Sequence, residues 1–255
     1  MTQPTLMNGT THWTLQGKGG VGKSLVSSIL GQYFTARGYI PACADTDPVN
    51  STFHRIESLN VTLVPITDGG TVVQRLFDPL FEAILSADGV SVIDNGASTF
   101  LPITQFIGSN SILEAMAECN KRVFIHSIIT GGQAKDDTVT GLIKLIELVK
   151  NSKTNAKIVV WQNDFWGMPS WAGESLEKME WIKNNSDIIQ GIVQIVDRKS
   201  DAFSTDIRLM SEFHLTCREF RDSDQFGVLA KSRVFRVFND VYSELDRVFG
   251  VEKEA

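Results

Sequence analysis

A glycine-rich run near the amino terminus has the spacing of a phosphate-binding loop. Residues 17–24 read Gly-Lys-Gly-Gly-Val-Gly-Lys-Ser and fit the pattern G-x-x-x-x-G-K-[ST]. The glycines allow backbone N–H groups to surround an anion, and a helix that starts at about Gly22 would direct its positive end at the phosphates. In this pattern Lys23 reaches the β- and γ-phosphates, and the Ser24 hydroxyl binds Mg²⁺. The loop therefore predicts a nucleoside triphosphate site.

The same glycines also satisfy G-x-G-x-x-G, the fingerprint of dinucleotide binding. Asp45 lies downstream, where a ribose-binding carboxylate would be expected. We reject this interpretation because a dinucleotide site uses backbone amides and a helix dipole, and has no use for two lysines in the loop. A serine directly after the second lysine is what a Mg-bound triphosphate requires.

Two acidic residues, Asp45 and Asp47, follow a strand candidate that ends at Ala44. Mg²⁺ at a triphosphate needs a nearby carboxylate, which is a role for Asp45. Hydrolysis needs a group that positions the attacking water, which is a role for Asp47. The alternative is a solvated turn in which an aspartate precedes Pro48 for geometric reasons.

A further aspartate, Asp94, ends a second apolar strand at residues 89–93. A buried strand that delivers one aspartate is the Walker B arrangement, which holds Mg²⁺ in triphosphate sites. Gly96 would bring a backbone N–H close to the γ-phosphate, so this turn would distinguish ATP from ADP. The alternative is that the sequence Asp-Asn-Gly marks a plain turn.

The elements that must position these residues follow an alternating pattern. Strands are predicted at about residues 12–16, 39–44, 61–66, 89–93, 122–129, 156–161 and 191–196. Helices are predicted at about residues 25–34, 72–85, 103–117, 137–149, 174–184, 204–214 and 224–249. Such alternation predicts an α/β fold, a single P-loop NTPase domain whose mostly parallel β-sheet has helices on both faces. Ligands of such sheets bind beyond the carboxyl ends of the strands, where the sequence places Gly17, Asp45, Asp94 and Asn163.

Composition narrows the class of protein. The chain has 255 residues and a formal net charge of −6, which fit one α/β domain and argue against a generally basic nucleic-acid binder. Its three cysteines have no C-x-x-C spacing and are typical of reduced thiols, so we expect a cytoplasmic protein. No apolar run is long enough to span a membrane. We expect a polar leader at residues 1–11, the ATPase domain at 12–250 and a short acidic tail at 251–255.

Three segments together resemble the ParA/MinD superfamily of deviant Walker A ATPases. They are residues 17–24, the Asp45-Thr46-Asp47-Pro48 turn and the Val92-Ile93-Asp94 strand end. A more specific resemblance, to the plasmid-encoded TraL-like branch associated with conjugative transfer regions, is carried by Gln16 and by residues 45–50, 93–98, 130–134 and 166–167. It extends from about residue 12 to 170.

The resemblance implies roles for individual residues. Lys18 would reach across a nucleotide-sandwich dimer to the partner's phosphates, so hydrolysis would need both subunits. Asp47 would activate or orient the water that attacks the γ-phosphate. Asp45 and Asp94 would hold the Mg²⁺ shell. Asn163 would recognise adenine. The residues expected to contact ATP are then Gly17, Lys18, Gly19, Gly20, Val21, Gly22, Lys23, Ser24, Leu25, Gly96 and Asn163. Those expected to be catalytic are Lys18, Lys23 and Asp47, and those expected to bind the metal are Ser24, Asp45 and Asp94.

The chain departs from the superfamily pattern after the Walker B aspartate. Residues 95–97 read Asn-Gly-Ala and replace a proline-containing turn that is common in partition ATPases. A polar, glycine-rich loop at residues 130–133 ends another strand. It is either a further loop of the active face or a plain connection.

The last predicted helix raises the question of a membrane or DNA surface. Its apolar stripe at 234, 238, 241, 245 and 248 would pack on the sheet or lie on a membrane. We favour packing because the acidic tail would be repelled by an anionic bilayer. A candidate basic patch predicts at most weak, salt-sensitive, nonspecific DNA binding. It consists of Arg218, Arg221, Lys231, Arg233 and Arg236.

Together these features predict an ATP-dependent dimerisation switch. Mg-ATP would bind, two copies would close over two nucleotides as a homodimer, and slow hydrolysis would separate them. The expected output is plasmid transfer, partition or stability through an unidentified plasmid-encoded partner protein. Two alternatives stay open: a metabolic enzyme on the same fold that uses ATP to activate a small carboxylate or amide substrate, and a non-hydrolysing nucleotide-binding adaptor.

Overall fold

The computed structural model describes residues 6–170 and 174–251. Its strands are β1 (Thr10–Thr14), β2 (Ala42–Asp45), β3 (Thr62–Leu63), β4 (Thr67–Asp68), β5 (Thr71–Val72), β6 (Val90–Asp94), β7 (Arg122–Thr130), β8 (Lys157–Asn163) and β9 (Ile189–Ile195). Its α-helices are α1 (Lys23–Ala36), α2 (Asp78–Ser86), α3 (Phe100–Ser109), α4 (Ile112–Glu118), α5 (Lys135–Ser152), α6 (Glu180–Lys183), α7 (Asp201–Glu212), α8 (Cys217–Asp222) and α9 (Val228–Phe249). The acidic tail expected at 251–255 lies outside the described residues except for its first position.

The main sheet has seven strands in the order β3-β2-β6-β1-β7-β8-β9, and every neighbouring pair is parallel. The register aligns the strand ends that carry acidic side chains. Asp94 pairs with Thr14 on one side and with Asp45 on the other. The expected α/β fold is thus confirmed, and its strand pairing gathers the predicted acids at one edge of the sheet.

Helices cover both faces of the sheet. On one face, α1, α7, α8 and α9 pack in a core that includes Ile29, Phe220 and Phe238. On the other face, α2 to α6 pack in a second core that includes Ile103 and Leu142. Strands β6, β7 and β8 are buried on both faces along nearly their whole length, which is why they read as mostly apolar runs.

The carboxyl-terminal helix α9 packs on the sheet. Its apolar stripe is buried at Val234, Phe238, Val241, Leu245 and Val248. Burial of each such side chain contributes about 1.5–3 kcal/mol relative to exposure, so the stripe is a major part of this core. No helix among the described residues is long and apolar enough to cross a membrane.

The predicted elements differ from the structure in several places. Strand β1 starts at Thr10, two residues before the predicted start, because polar threonines fill a central strand that pairs on both sides. The helix predicted at 103–117 is two helices, separated at Ser111, which has a φ of 50°. The helix predicted at 174–184 is shorter, and α8 has no counterpart among the predicted elements.

Candidate functional site

The glycine-rich loop connects β1 to α1 at the carboxyl edge of the sheet. Gly20 and Gly22 have φ values of 74° and 102°, which favour glycine because a Cβ would be strained there. Gly22 caps α1, and its carbonyl accepts the first helical hydrogen bond, from Val26 N at 2.9 Å. The amino end of α1 therefore faces the loop, as a phosphate site requires.

Gln16 holds the start of the loop in place. Its Oε1 accepts a hydrogen bond from Gly17 N at 2.8 Å, while its Nε2 donates to the carbonyls of Ile128 and Thr138. Gly141 makes room for this side chain, since a Cβ there would lie 2.2 Å from Gln16 Oε1. The position of the loop thus depends on β7 and α5 as well as on its own sequence.

The two loop lysines line different cavities. Lys23 lines a cavity of about 550 Å³ with Ser24 and Asp47, and its Nζ donates to the carbonyl of Lys18 at 2.9 Å. Lys18 lines a second cavity of about 430 Å³, where its Nζ lies 2.8 Å from Asp137 Oδ2. The side chains of this ion pair are 41% and 62% exposed. Burial lowers the pKa of Lys23, and the charges of Asp94 and Asp47 oppose that shift.

Asp94 is buried beside the loop. Its two carboxylate oxygens accept hydrogen bonds from Ser24 Oγ at 2.6 Å and from Ser27 Oγ at 2.9 Å. Burial raises the pKa of Asp94 to about 7, although both serine hydroxyls favour the ionised form. A cation beside Ser24 would further favour the ionised carboxylate, so this pair of oxygen ligands fits Mg²⁺.

Asp45 is fully buried and holds the loop that follows β2. One carboxylate oxygen accepts a hydrogen bond from Asp47 N at 2.9 Å, and the other accepts one from His54 N at 3.0 Å. Burial raises the pKa of Asp45, and the two backbone donors oppose that shift. The carboxylate therefore shapes the segment that carries Asp47, and its part in Mg²⁺ binding stays a prediction.

Asp47 lies in the 550 Å³ cavity and contacts the turn after β6. Its Oδ1 accepts hydrogen bonds from Val49 N at 2.9 Å and from Asn50 N at 3.1 Å. A Cβ on Gly96 would lie 2.7 Å from this carboxyl group. Gly96 thus allows the β2 and β6 turns to meet, and its predicted contact with the γ-phosphate is untested.

Asn163 is the last residue of β8, and its side chain contacts the glycine-rich loop. Its Nδ2 donates to the carbonyl of Val21 at 3.0 Å, and its Oδ1 accepts from Phe165 N at 3.2 Å. A Cβ on Gly22 would lie 3.0 Å from this Nδ2, so the glycine allows close contact. Asn163 also lines a third cavity of about 460 Å³, as its predicted contact with adenine requires.

That third cavity is mostly apolar and adjoins the loop through Gly20 and Leu25. Its walls come from the segments after β8 and β9 and from α7, and include Phe165, Trp166, Ile195, Phe203 and Ile207. Trp166 Nε1 donates to the carbonyl of Gly20 at 3.2 Å, which links this wall to the loop. A planar base fits such an apolar, aromatic-walled space.

A family model and two relatives identify the family of the chain. The model of the CobQ/CobB/MinD/ParA nucleotide-binding domain (CbiA) matches residues 14–214. The chain belongs to the ParA/MinD family. Two Escherichia coli proteins, both named Protein TraL, are 34% and 36% identical over 92% of this chain and 96% of each relative. The MinD cell division protein of Aquifex aeolicus aligns with a TM-score of 0.47 at 12% identity, covering 96% of this chain and 99% of MinD.

Membership of the ParA/MinD family confirms the resemblance seen in the loop and in the two acidic strand ends. It makes this a nucleotide-binding chain of a family of P-loop ATPases. The matched region includes the residues that line the three cavities, except Leu215 at the first and Val237 and Phe238 of α9 at the third. The cavity-lining residues in the second half of the chain do not belong to a recognisable sequence motif. The rule that ligands bind beyond strand ends would have pointed to the segment after β9.

The loop at residues 130–133 contacts the segment after β8 that lines the third cavity. Gly131 N donates to the carbonyl of Gly167 at 3.0 Å, and a Cβ on Gly131 would lie 2.2 Å from that oxygen. Thr130 Oγ1 donates to the carbonyl of Asn163 at 2.8 Å. The loop therefore positions the segment that carries Trp166.

The candidate basic patch is partly neutralised by acidic neighbours. Arg233 Nε lies 2.5 Å from the buried Asp206. Arg218 and Arg221 both pair with Asp222, at 3.8 Å and 3.2 Å. Ion pairs of this kind reduce the positive potential available to a phosphate backbone.

Proposed function

We propose that this chain is a Mg-ATP-dependent dimerisation switch, in which two copies close over two nucleotides and slow ATP hydrolysis separates them. The observation that carries the proposal is the placement of the two loop lysines in different cavities. Lys23 lies with Ser24 and Asp47, where the phosphates of its own subunit would bind. Lys18 lies outside that cavity and is partly exposed, as a lysine that serves a second subunit must be.

The ion pair between Lys18 and Asp137 would have to open when the dimer forms. Both side chains are well exposed, and exposed pairs are worth less than about 1 kcal/mol. Phosphates of a second subunit would therefore compete successfully for Lys18. In the separate subunit the ion pair holds the Lys18 side chain against α5.

Within one subunit, Lys23 would bind the phosphates, and Ser24 with Asp94 would hold Mg²⁺. The ion would supply charge neutralisation at the phosphates when bound. Asp47 would position the attacking water, because its carboxylate lies in the same cavity as Lys23 and is held by two backbone amides. Asp45 would act by shaping the turn that carries Asp47.

The biological setting follows from the relatives. Similarity to two TraL proteins supports a plasmid-related role, in transfer, partition or stability, through a plasmid-encoded partner protein. We place the switch in the cytoplasm, where ATP is available. The partly neutralised basic patch supports only weak, salt-sensitive, nonspecific DNA binding in the ATP state.

The test is the rate of ATP hydrolysis per subunit, measured over a range of protein concentrations. For the wild type the rate should rise with concentration, and for Lys18→Ala it should fall at least tenfold. Asp137→Asn removes the competitor for Lys18 and should raise the rate at low concentration by up to about fivefold. Lys150→Ala, at the opposite end of α5, is the control and should match the wild type.

Three outcomes would reject the switch. A rate per subunit that does not change with concentration, and that needs an added small carboxylate or amide, would identify a metabolic enzyme. Nucleotide binding without turnover at any concentration would identify an adaptor. Wild-type activity in Lys18→Ala would exclude a role for this lysine across the dimer.

A further inference from the structure

His214, just beyond the carboxyl end of α7, lines the same 550 Å³ cavity as Lys23 and Ser24. Met210 and Ser211, in the last turn of α7, and Leu215, beyond it, line the cavity as well. None of the phosphate-loop motifs includes this turn, and the roles proposed above make no use of it.

The backbone at His214 is left-handed, with a φ of 53°. It belongs to a Schellman motif, in which Leu215 N donates to Met210 O at 3.0 Å and His214 N donates to Ser211 O at 3.1 Å. The left-handed position of this motif is usually glycine, because a Cβ has a steric cost there. Histidine adopts it more often than most residues, yet glycine would complete the same cap without that cost. The cap alone therefore does not explain the imidazole.

The imidazole also has an unsatisfied nitrogen. Nδ1 of His214 is buried and has no hydrogen-bond partner among the described residues. An unpaired buried polar atom destabilises a protein, and most buried polar atoms are paired. A backbone position that favours glycine and an unpaired ring nitrogen at one cavity residue are typical of a side chain kept for a ligand.

The chemistry around His214 indicates which part of a ligand would bind. Among the described residues that line the cavity, Lys23 is the one lysine or arginine, and hydroxyl groups lie along the wall. Ser211 Oγ donates to Ile207 O at 2.9 Å and keeps its acceptor lone pairs, while Ser28 Oγ accepts from Gln32 Nε2 at 2.9 Å and keeps its proton. Hydroxyls and an imidazole suit sugar hydroxyls, whereas a phosphate would call for cations.

The spacing along α1 agrees with a sugar. Ser28 follows Ser24 by about one helical turn, or about 5.4 Å. The ribose of a nucleotide is joined to its phosphates, so it must lie next to the phosphate loop. A nucleotide whose phosphates occupy the loop would pass its ribose along this turn of α1, towards α7.

We propose that His214, together with Ser28 and Ser211, hydrogen-bonds the ribose hydroxyls of the bound nucleotide. The inference rests on the proposed function in one respect, namely that the loop binds a nucleoside triphosphate. It makes α7 a determinant of sugar specificity. The chain should prefer a ribonucleotide over one without the 2′ and 3′ hydroxyls.

The test compares the affinities of ATP and 2′,3′-dideoxy-ATP for the wild type and for His214→Gly. The wild type should bind ATP about tenfold more tightly, and in the variant this preference should fall to about threefold or less, because Ser28 and Ser211 remain. Asn120→Gly is a matched control. Asn120 has the same left-handed position in the cap of α4, with a φ of 57°, and precedes β7 at the opposite edge of the sheet from the loop.

Glycine is favoured at both cap positions, so both variants should fold, with melting temperatures close to that of the wild type. The control should keep the tenfold preference for ATP. Equal binding of the two nucleotides by the wild type, or an unchanged preference in His214→Gly, would overturn the role of His214 and leave the switch standing. A wild type that binds neither nucleotide would overturn both proposals.

Discussion

Asp47 and Gly96 act as one unit, although they belong to different strand ends. The carboxylate of Asp47 occupies the space in which a side chain at position 96 would lie, at 2.7 Å from the expected Cβ. Two backbone amides, of Val49 and Asn50, hold the carboxylate in that place. The glycine therefore serves the position of the acid as well as the flexibility of its own turn.

From the contact between Asp47 and Gly96 we predict the effect of Gly96→Ala. The added methyl group must displace the Asp47 carboxylate, and a displacement of about 1 Å in a reacting group can cost about a hundredfold in rate. ATP hydrolysis should fall at least tenfold, while ATP affinity stays within about threefold, because the loop and Lys23 are unchanged. Single-turnover hydrolysis and nucleotide titration measure the two effects.

Gly227→Ala is the control for this substitution, since a Cβ at Gly227 has nothing within 4 Å and its φ is −71°. It should behave as the wild type in both measurements. Unchanged hydrolysis in Gly96→Ala would show that the position of Asp47 does not limit the reaction.

At the scale of elements, α9 is tied to α1 by an ion pair between the partly exposed Arg37 and the buried Asp246. Arg37 donates to both carboxylate oxygens of Asp246, at 2.8 Å and 2.6 Å, and Tyr33 Oη donates to the same group at 3.0 Å. The guanidinium also lies 5.0 Å from the centroid of the Tyr33 ring and 5.7 Å from that of Tyr242. The helix that follows the phosphate loop is thus held at its far end by the last helix of the chain.

We expect Asp246→Asn to lower the free energy of unfolding by about 2 kcal/mol, because it leaves the partly exposed Arg37 without its counter-charge. Urea unfolding measures the change. Glu244→Gln removes an exposed pair with Arg247 on the same helix and should change stability by less than about 1 kcal/mol. Equal effects of the two substitutions would contradict the assignment of the pair of Arg37 and Asp246 as a stabilising contact.

At the scale of the whole molecule, a buried chain of hydrogen bonds crosses three strands. Trp161 Nε1 donates to His126 Nδ1 at 2.8 Å, so the proton of His126 lies on Nε2, which is 3.0 Å from His12 Nδ1. The remaining nitrogen of His12 then donates to Thr10 Oγ1, which donates to Met7 O. Every member is satisfied when both imidazoles are neutral, and a charged imidazole would break the sequence of donors and acceptors.

Burial lowers the pKa of His126 from 6.5 to about 3, and it lowers the pKa of His12 well below 6.5. Below pH 6.5 the unfolded chain takes up protons that the folded chain excludes, so stability is lost as the pH falls. Each histidine should cost about 1.4 kcal/mol per pH unit. Asp94 acts in the opposite direction, because its raised pKa of about 7 makes the folded state bind the extra proton between pH 3.8 and 7.

The measurement is therefore best made in Asp94→Asn, which removes one opposing carboxyl and leaves Asp45, whose pKa burial also raises. Between pH 6.5 and 5, the free energy of unfolding of this variant should fall by about 2 kcal/mol per pH unit. The wild type should have a shallower slope over the same range. A flat profile for Asp94→Asn would mean that the two imidazoles titrate in the folded state as they do in the unfolded chain.

The fold and the phosphate end of the site were predictable from local patterns. The spacing in residues 17–24 specifies the loop because each phosphate contact comes from a neighbouring residue. Apolar runs that end in Asp45 and Asp94 indicated parallel strands whose carboxyl ends meet, and the register confirms that they are adjacent. The stripe on α9 likewise predicted its buried face.

Contacts between distant segments were not predictable, because no local period encodes which side chains meet. Lys18 and Asp137 are 119 residues apart, and Asn163 reaches a carbonyl 142 residues away. Loop spacing does not specify that Lys18 turns away from the cavity of Lys23, since its direction depends on the charge that α5 brings near. The same holds for His214. Its imidazole reaches the cavity that Lys23 lines only after the cap of α7 has folded.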